Sequence, residues 1–362
     1  VLLNKELFLK VINKVGGQTI MKRGVAMKAG LIGCGGMGTV HNLSLKELAR
    51  HYDIRVTAVA DCRDEFLNRA AGQWTGVRKF KSGKELIEKS DVDIVHICVP
   101  SYLHADLAIR AMEKGINVFV EKPVCLSRED CQRLLDTEKK TGVKVMVGQV
   151  VRCFEEYKFL KEVYDHKTYG ELKSIIMHRL SGDVTWGWED WFHDISKSGS
   201  VILDLHIHDT DFLRYMLGEP DKYQVHATKF ENGLPNQVVT TYEFGNIFAV
   251  AEGTWDISTK MPFEAYYRAS FENATIVFSS LYEPHVKVFH KDGAVTIPDL
   301  KPEYDAKDDS AGINITSLGA YYTEIKYFVE CLVNQKPIEA APLSEGVKSV
   351  LLTLDELSEV MK

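Results

Sequence analysis

The residues best suited to chemistry stand together in the run from Gly199 to Asp211, which contains Asp204, His206, His208, Asp209 and Asp211. Read as a helix, the spacing puts Asp204, His208 and Asp211 at i, i+4 and i+7, so the three share one face. A carboxylate one turn before an imidazole can hold the ring in one tautomer and stabilise its charged form. A general base working near neutral pH needs both. His206 falls on another face and reads as a structural or subunit-contact residue. The same acids and imidazoles also admit a second reading, the ligands of a metal-dependent hydrolase. Side chains at i and i+2 diverge by about 200° at 3.6 residues per turn, so no metal site is expected.

A cation is available in Glu121-Lys122-Pro123, which directly follows an apolar run. Taken alone, this segment reads first as a salt-bridging surface turn. A third signal is Gly33-Cys34-Gly35-Gly36-Met37-Gly38, a G-x-G-x-x-G pattern between a strand-like run and a helix-like one. Such glycines allow a tight turn, close approach of a pyrophosphate, and close helix–strand packing, and the helix N-terminus offers N–H groups to the phosphates. Asp61, with Cys62 beside it, ends the next strand-like run, about 20 residues on, where an acid meets the ribose hydroxyls. An aspartate there favours NAD over NADP, although Arg63 blurs the preference.

These side chains need elements to position them. Apolar runs at Ala29–Ile32, Arg55–Ala60, Ile94–Val99, Asn117–Val120 and Lys144–Val147 alternate with amphipathic stretches at Met37–His51, Arg63–Gln73, His104–Lys114 and Arg128–Thr141. Such alternation predicts a parallel sheet flanked by helices. Ligands of open α/β sheets lie beyond the carboxyl ends of the strands. Pro100, His104, Glu121 and Lys122 should therefore border the cofactor cleft. Beyond Gly148 the pattern becomes β-rich, at Leu172–Arg179, Tyr223–Phe230, Val238–Phe244, Ile247–Trp255, Ala265–Phe271 and Ala274–Phe278, and it ends in helical segments at Ala320–Asn334 and Ser344–Met361. The expected fold is an α/β Rossmann dinucleotide-binding domain over 28–148, then an α+β domain with a large, mostly antiparallel sheet over 149–362. The last helices are expected to pack back on the first domain.

Residues 1–27 form an N-terminal extension. Leu2, Leu3, Leu9, Ile12 and Val15 recur at roughly helical spacing, so it reads either as an extra helix or as a stretch ahead of the natural start, with Met21 and Met27 as candidate starts. The net charge of -7 argues against a nucleic-acid partner, which calls for a basic field. The apolar runs are too short for a membrane span. Seven scattered cysteines without a C-x-x-C pair suggest reduced thiols and a cytoplasmic protein.

The glycine fingerprint, Glu121-Lys122-Pro123 and the Asp204…His208-Asp209…Asp211 run, in this order, resemble the Gfo/Idh/MocA family from Lys28 to Lys362. The resemblance implies an NAD(P)-dependent oxidoreductase acting on a secondary ring alcohol of a sugar, glycoside or inositol-like cyclitol. Lys122 would hydrogen-bond the reacting hydroxyl, His208 would take its proton, Asp204 would orient His208 or touch substrate, and Asp211 would bind a neighbouring hydroxyl. Arg152 and Tyr157 match the segment leading into the sheet domain and are expected at the substrate. Cys153 stands where an aromatic is more usual. Trp186 and Trp188 belong to a cluster holding three of the five tryptophans, suited to the C–H face of a ring. A homodimer or homotetramer through the open sheet face is expected. Two alternatives keep the cofactor fold: an enzyme that recycles tightly bound NAD within each turnover of a glycoside, and a non-catalytic NAD sensor.

Overall fold

The computed structural model describes residues 26–302, 304 and 318–362, together with two short strands, β1 (Asn13–Val15) and β2 (Gln18–Ile20). β1 and β2 pair antiparallel. Val15 thus lies in a strand, not the helix that the leucine spacing suggested. Leu2, Leu3, Leu9 and Ile12 lie outside the described residues.

Six strands make the first sheet: β3 (Met27–Ile32), β4 (Ile54–Ala60), β5 (Arg78–Phe80), β6 (Ile94–Ile97), β7 (Asn117–Glu121) and β8 (Val145–Gly148). They are all parallel, in the order β5-β4-β3-β6-β7-β8. Helices α1 (Gly36–Leu48), α2 (Asp64–Ala71), α3 (Gly83–Lys89), α4 (His104–Glu113) and α5 (Arg128–Thr141) connect them. Because helices cover both faces, strands such as Ile94–Ile97 are buried throughout, as a run of apolar residues requires. The chain leaves β3 toward β4 on one side and later returns to β6 on the other. A crevice opens at that reversal, at the carboxyl ends of the strands.

The second half contributes α6 (Glu155–Asp165), β9 (Leu172–Gly182), α7 (Ile195–Ser198), α8 (Ile207–Leu217) and strands β10 (Lys222–Lys229), β11 (Pro235–Phe244), β12 (Ile247–Asp256), β13 (Glu264–Phe271), β14 (Ala274–Ser279), β15 (Val286–His290) and β16 (Val295–Thr296). These strands form an eight-stranded sheet, β10-β11-β12-β9-β13-β14-β15-β16, in which β9 and β12 are the one parallel pair. Alternation along β9, β12 and β13 buries one face against helices and leaves the other partly open. Helices α9 (Gly319–Val333) and α10 (Leu343–Val360) close the described chain.

α9 packs back on the first sheet, where Tyr322, Ile325, Phe328 and Val329 share a core with Ala29, Leu31, Phe119 and Met146. A second core joins the two sheets, combining Val118, Val120 and Val147 with Ile202, Leu203 and Ile207 and with Leu343, Val347 and Val350 of α10. That shared core fixes the residues after β7 against the residues before α8, and the site lies between them.

Candidate active site

The glycine turn leaves β3 and enters α1, and its geometry explains each glycine. Gly33 has φ +86°, and a Cβ there would lie 2.6 Å from the carbonyl oxygen of Cys98. A Cβ on Gly38 would lie 1.9 Å from the Gly33 carbonyl oxygen, so strand and helix can pack only without it. Gly35 caps α1 with no side-chain bond. A dinucleotide pyrophosphate needs this kind of cradle, with bare backbone at the start of a long helix. Gly36 and Met37 sit beside it, partly exposed. The Asp61 carboxylate accepts from the Cys34 N–H at 2.9 Å and from the Arg63 N–H at 2.9 Å, which fixes the acid at the end of β4. Cys62 is exposed next to it.

At the far end of the crevice, β7 delivers Glu121 and Lys122. The Lys122–Pro123 bond is cis. Lys122 Nζ donates to the Asp204 carbonyl oxygen at 2.7 Å and to Asp204 Oδ1 at 3.1 Å. The two side chains keep 15% and 17% of their surface exposed, enough for Lys122 to face a ligand.

Asp204 reaches Lys122 because its segment is not a regular α-helix. Ile202–His206 is a π-helical turn, closed by an Ile207 N–H to Ile202 carbonyl bond, that runs directly into α8. Such wide turns recur at functional sites because they re-aim side chains. Asp204 therefore serves the lysine, and the Nδ1 of His208 is buried without a hydrogen-bond partner among the described residues. The expectation that Asp204 orients His208 is corrected accordingly. Gly253 of β12 lets the turn settle on the sheet, since a Cβ there would lie 2.8 Å from the Cβ of His206.

Electrostatics completes the picture. Burial, reinforced by the positive charges of Lys122 and Arg179, holds the His208 imidazole well below its ordinary pKa. The ring is neutral at physiological pH and able to accept a proton. Arg179, on β9, is paired with Asp209 at 2.8 Å and donates to the Tyr157 hydroxyl at 3.1 Å. Nothing in the sequence singled it out, because it reads as one more inward residue of an alternating strand.

Several expected contacts belong to the framework instead. Asp211 is wholly buried, bound by Arg152 Nε at 2.8 Å and Nη2 at 2.6 Å and by Ser349 Oγ at 2.7 Å, so its carboxylate is committed to α10 and the core. Arg152 also donates to the Ala340 carbonyl at 2.6 Å. Tyr157 is buried among Phe212, Tyr267 and Phe278. None of the three lines a substrate surface. His104 is buried, with its ring nitrogens 2.7 Å from the carbonyls of Pro123 and Val99. It braces the lysine loop and is not a cofactor contact. Pro100 remains partly exposed at the cleft.

Glu121 also points inward. It pairs with His41 Nε2 at 2.8 Å, and His41 Nδ1 lies 3.0 Å from His96 Nδ1. His206 is structural, as its helix face suggested: its Nε2 lies 3.2 Å from Glu356 of α10 and 3.3 Å from the Tyr242 hydroxyl. Among the described residues no group of three His, Cys, Asp or Glu side chains is placed to hold a metal ion. Trp186 is exposed, and Trp188 lies over Arg63.

Comparison with known proteins agrees with this geometry. Residues 27–149 match the oxidoreductase family with an NAD-binding Rossmann fold, Gfo/Idh/MocA, and residues 157–277 match the C-terminal domain of that family. The chain belongs to the Gfo/Idh/MocA family. It is 34% identical over 194 residues to the myo-inositol 2-dehydrogenase of Thermotoga maritima, which covers 53% of this chain and 55% of the relative. It is 28% identical over 271 residues to the NAD-dependent scyllo-inositol 2-dehydrogenase of Bacillus subtilis, covering 72% and 74%. The first of these alignments spans only about half the relative's length. A levoglucosan dehydrogenase solved with NADH superposes with a TM-score of 0.78 over 93% of this chain and 97% of the other, at 19% identity, a likeness of fold. Among the described residues no helix is long and apolar enough to cross a membrane.

Proposed function

We propose that the chain is an NAD-dependent dehydrogenase that oxidises a secondary ring alcohol of a cyclitol, sugar or glycoside, with 28–148 holding the cofactor and 149–362 the substrate. The observation that carries this reading is that a half-buried imidazole, His208, held well below its ordinary pKa in part by the charge of Lys122, shares a cleft of an NAD-binding fold with that ammonium. NAD held in the glycine turn supplies the acceptor for the hydride that leaves the alcohol carbon. Lys122, steadied by Asp204, donates a hydrogen bond to the hydroxyl oxygen and stabilises its developing negative charge. His208 takes the hydroxyl proton, and the charge it gains is opposed by Lys122 and Arg179, so the imidazolium readily returns the proton to solvent. The names of the inositol 2-dehydrogenase relatives make inositols the first substrates to try.

The test is NADH formation by the purified chain with NAD and a panel of inositols, free sugars and glycosides, repeated with His208→Asn. Activity on one class that the variant loses supports the reading. Silence on every substrate with NAD retained on the protein overturns it in favour of internally recycled cofactor chemistry.

The open sheet face supports a second copy as partner. One row across it runs Thr241, Val250, Ile176, Arg268 and Val277, with apolar side chains interrupted by the single charge of Arg268. Light scattering checks this, and Val250→Arg should shift the assembly toward monomer. The scattered spacing and odd number of the cysteines, with no C-x-x-C pair, support a cytoplasmic setting.

A further inference from the structure

The aromatic cluster before the catalytic segment has no role in the chemistry above, and the structure places one of its members far from where the sequence suggested. The segment between β9 and α7 is a tightly built loop. His193 is held between Asp183 at 2.8 Å and Asp190 at 2.5 Å. Phe192 is buried, stacked on Trp191 with ring centres 3.9 Å apart and edge-on to Trp255. Glu189 and Asp190 both take left-handed conformations, with φ 51° and 52°, a strained pair that holds only in a fixed loop. The rigid frame projects Trp188 out of the sheet domain and onto the first domain.

Trp188 lands on Arg63. The guanidinium carbon lies 5.0 Å from the indole centre and 3.9 Å from the ring centre of Phe66, so Arg63 is layered between two aromatic faces. Arg63 Nε is also 3.2 Å from Asp61 Oδ1, and its Nη2 stands 3.2 Å from where a Cβ on Gly35 would be. Asp61 and Gly35 mark the ribose and pyrophosphate positions nearest the adenine end of a dinucleotide. Lys122 and His208 mark the opposite, reacting end. Further along the same segment, Lys197 of α7 lies 5.9 Å from the ring of Tyr102, beside the carboxyl end of β6. Residues 183–199 therefore run from the Asp61 end of the cleft to the loop that follows β6.

We propose that Trp188 is a cofactor-binding residue: the loop at 183–193 is a clasp whose indole, carried on Arg63, closes over the adenosine end of NAD. The inference rests on the NAD-dependent reading above and deepens it by moving Trp188 from substrate to cofactor. Adenine offers a flat π face of the kind that tryptophan recognises by stacking; with Arg63 already covered by Phe66 and Trp188, the exposed part of the Trp188 indole is the surface left for it. Trp186, exposed at the loop's outer side, has no share in this contact.

The experiment is calorimetric titration of the full chain, without any alcohol, using NAD and ADP-ribose as separate probes. Trp188 is 44% exposed, so its truncation leaves the core intact. Trp188→Ala should weaken NAD and ADP-ribose alike, about tenfold. Trp188→Phe should recover most of that loss, and Trp186→Ala should leave both affinities unchanged. In turnover assays the KM for NAD should rise while the KM for the alcohol stays. Unchanged affinity for both probes overturns the proposal, as does a rise confined to the alcohol's KM. Failure of the dehydrogenase reading looks different: no NADH on any substrate, with Trp188-dependent ADP-ribose binding still present.

Discussion

Asp204 and Asp211 lie seven residues apart on one segment, and both pair with a cation, yet they serve opposite ends. The Lys122–Asp204 pair keeps 15% and 17% of its side-chain surface exposed, at the mouth of a cleft. The Arg152–Asp211 pair keeps 3% and 1%, with further bonds from Ser349 and to Ala340. A charge that must meet a ligand has to remain reachable by it. A buried charge with both oxygens engaged by protein is a fastening, and its loss leaves the opposite charge stranded in the interior. Residue type alone does not separate the two; the remaining access to solvent does.

That contrast can be broken by substitution. His208→Asn, in the cleft, should lower kcat by about 10²- to 10⁴-fold, as loss of a general base does, with the urea midpoint held. Asp211→Asn should act in reverse. The unfolding free energy should fall by about 3–5 kcal/mol, because Arg152 is left buried without its counter-charge. Equal stability of wild type and this variant in urea melts would remove the distinction. Lys122→Met should cost about 10²- to 10³-fold in kcat, the usual loss when one donor to a developing oxyanion is removed. Asp204→Asn should cost only about tenfold, since the backbone carbonyl still holds Nζ and a single charge-assisted bond is lost.

The smallest effect concerns pH. The native imidazole of His208 protonates only well below 6.5, so the acid limb of kcat/KM should lie beneath that value. The unfolded chain binds this proton more readily than the native one, so the stability His208 contributes is present above 6.5 and is lost as pH falls toward the native value. Residual activity of Lys122→Met should show its acid limb displaced upward, because a positive neighbour has gone. A limb that stays in place would assign the titration to another group.

The parts of this molecule legible in the sequence are those with local signatures. The glycine turn, the alternating strands and the placing of Lys122 after a strand each follow from a few consecutive residues. α3 and β5 escaped because they span only seven and three residues, although Ser82, which accepts from the Glu85 N–H, left a capping signal. The π turn escaped for a different reason: a pattern of apolar residues is read at 3.6 per turn, and a single wide turn changes no residue type. The partners of Asp211 are 59 and 138 residues away along the chain, and no spacing rule reaches that far. His41 and His96 stand at buried positions of a helix and a strand, where polar residues look like exceptions until the carboxylate of Glu121 is seen behind them.

The π turn and α8, which together carry Asp204 and His208, are tied to α10 through Ser349 to Asp211 and Arg214, through Glu345 to Arg214, and through Glu356 to His206. During synthesis the chain emerges from its N-terminus, and a domain folds only once its parts are available. The glycine turn and Asp61 emerge early, but one side of the sheet behind them lacks its core until Tyr322, Ile325 and Phe328 of α9 are out, and the base remains unfastened until residues 349 and 356 leave the ribosome. The cradle and the base thus wait on the same late-emerging pair of helices, and neither end of the cleft is finished before α9 and α10 have left the ribosome.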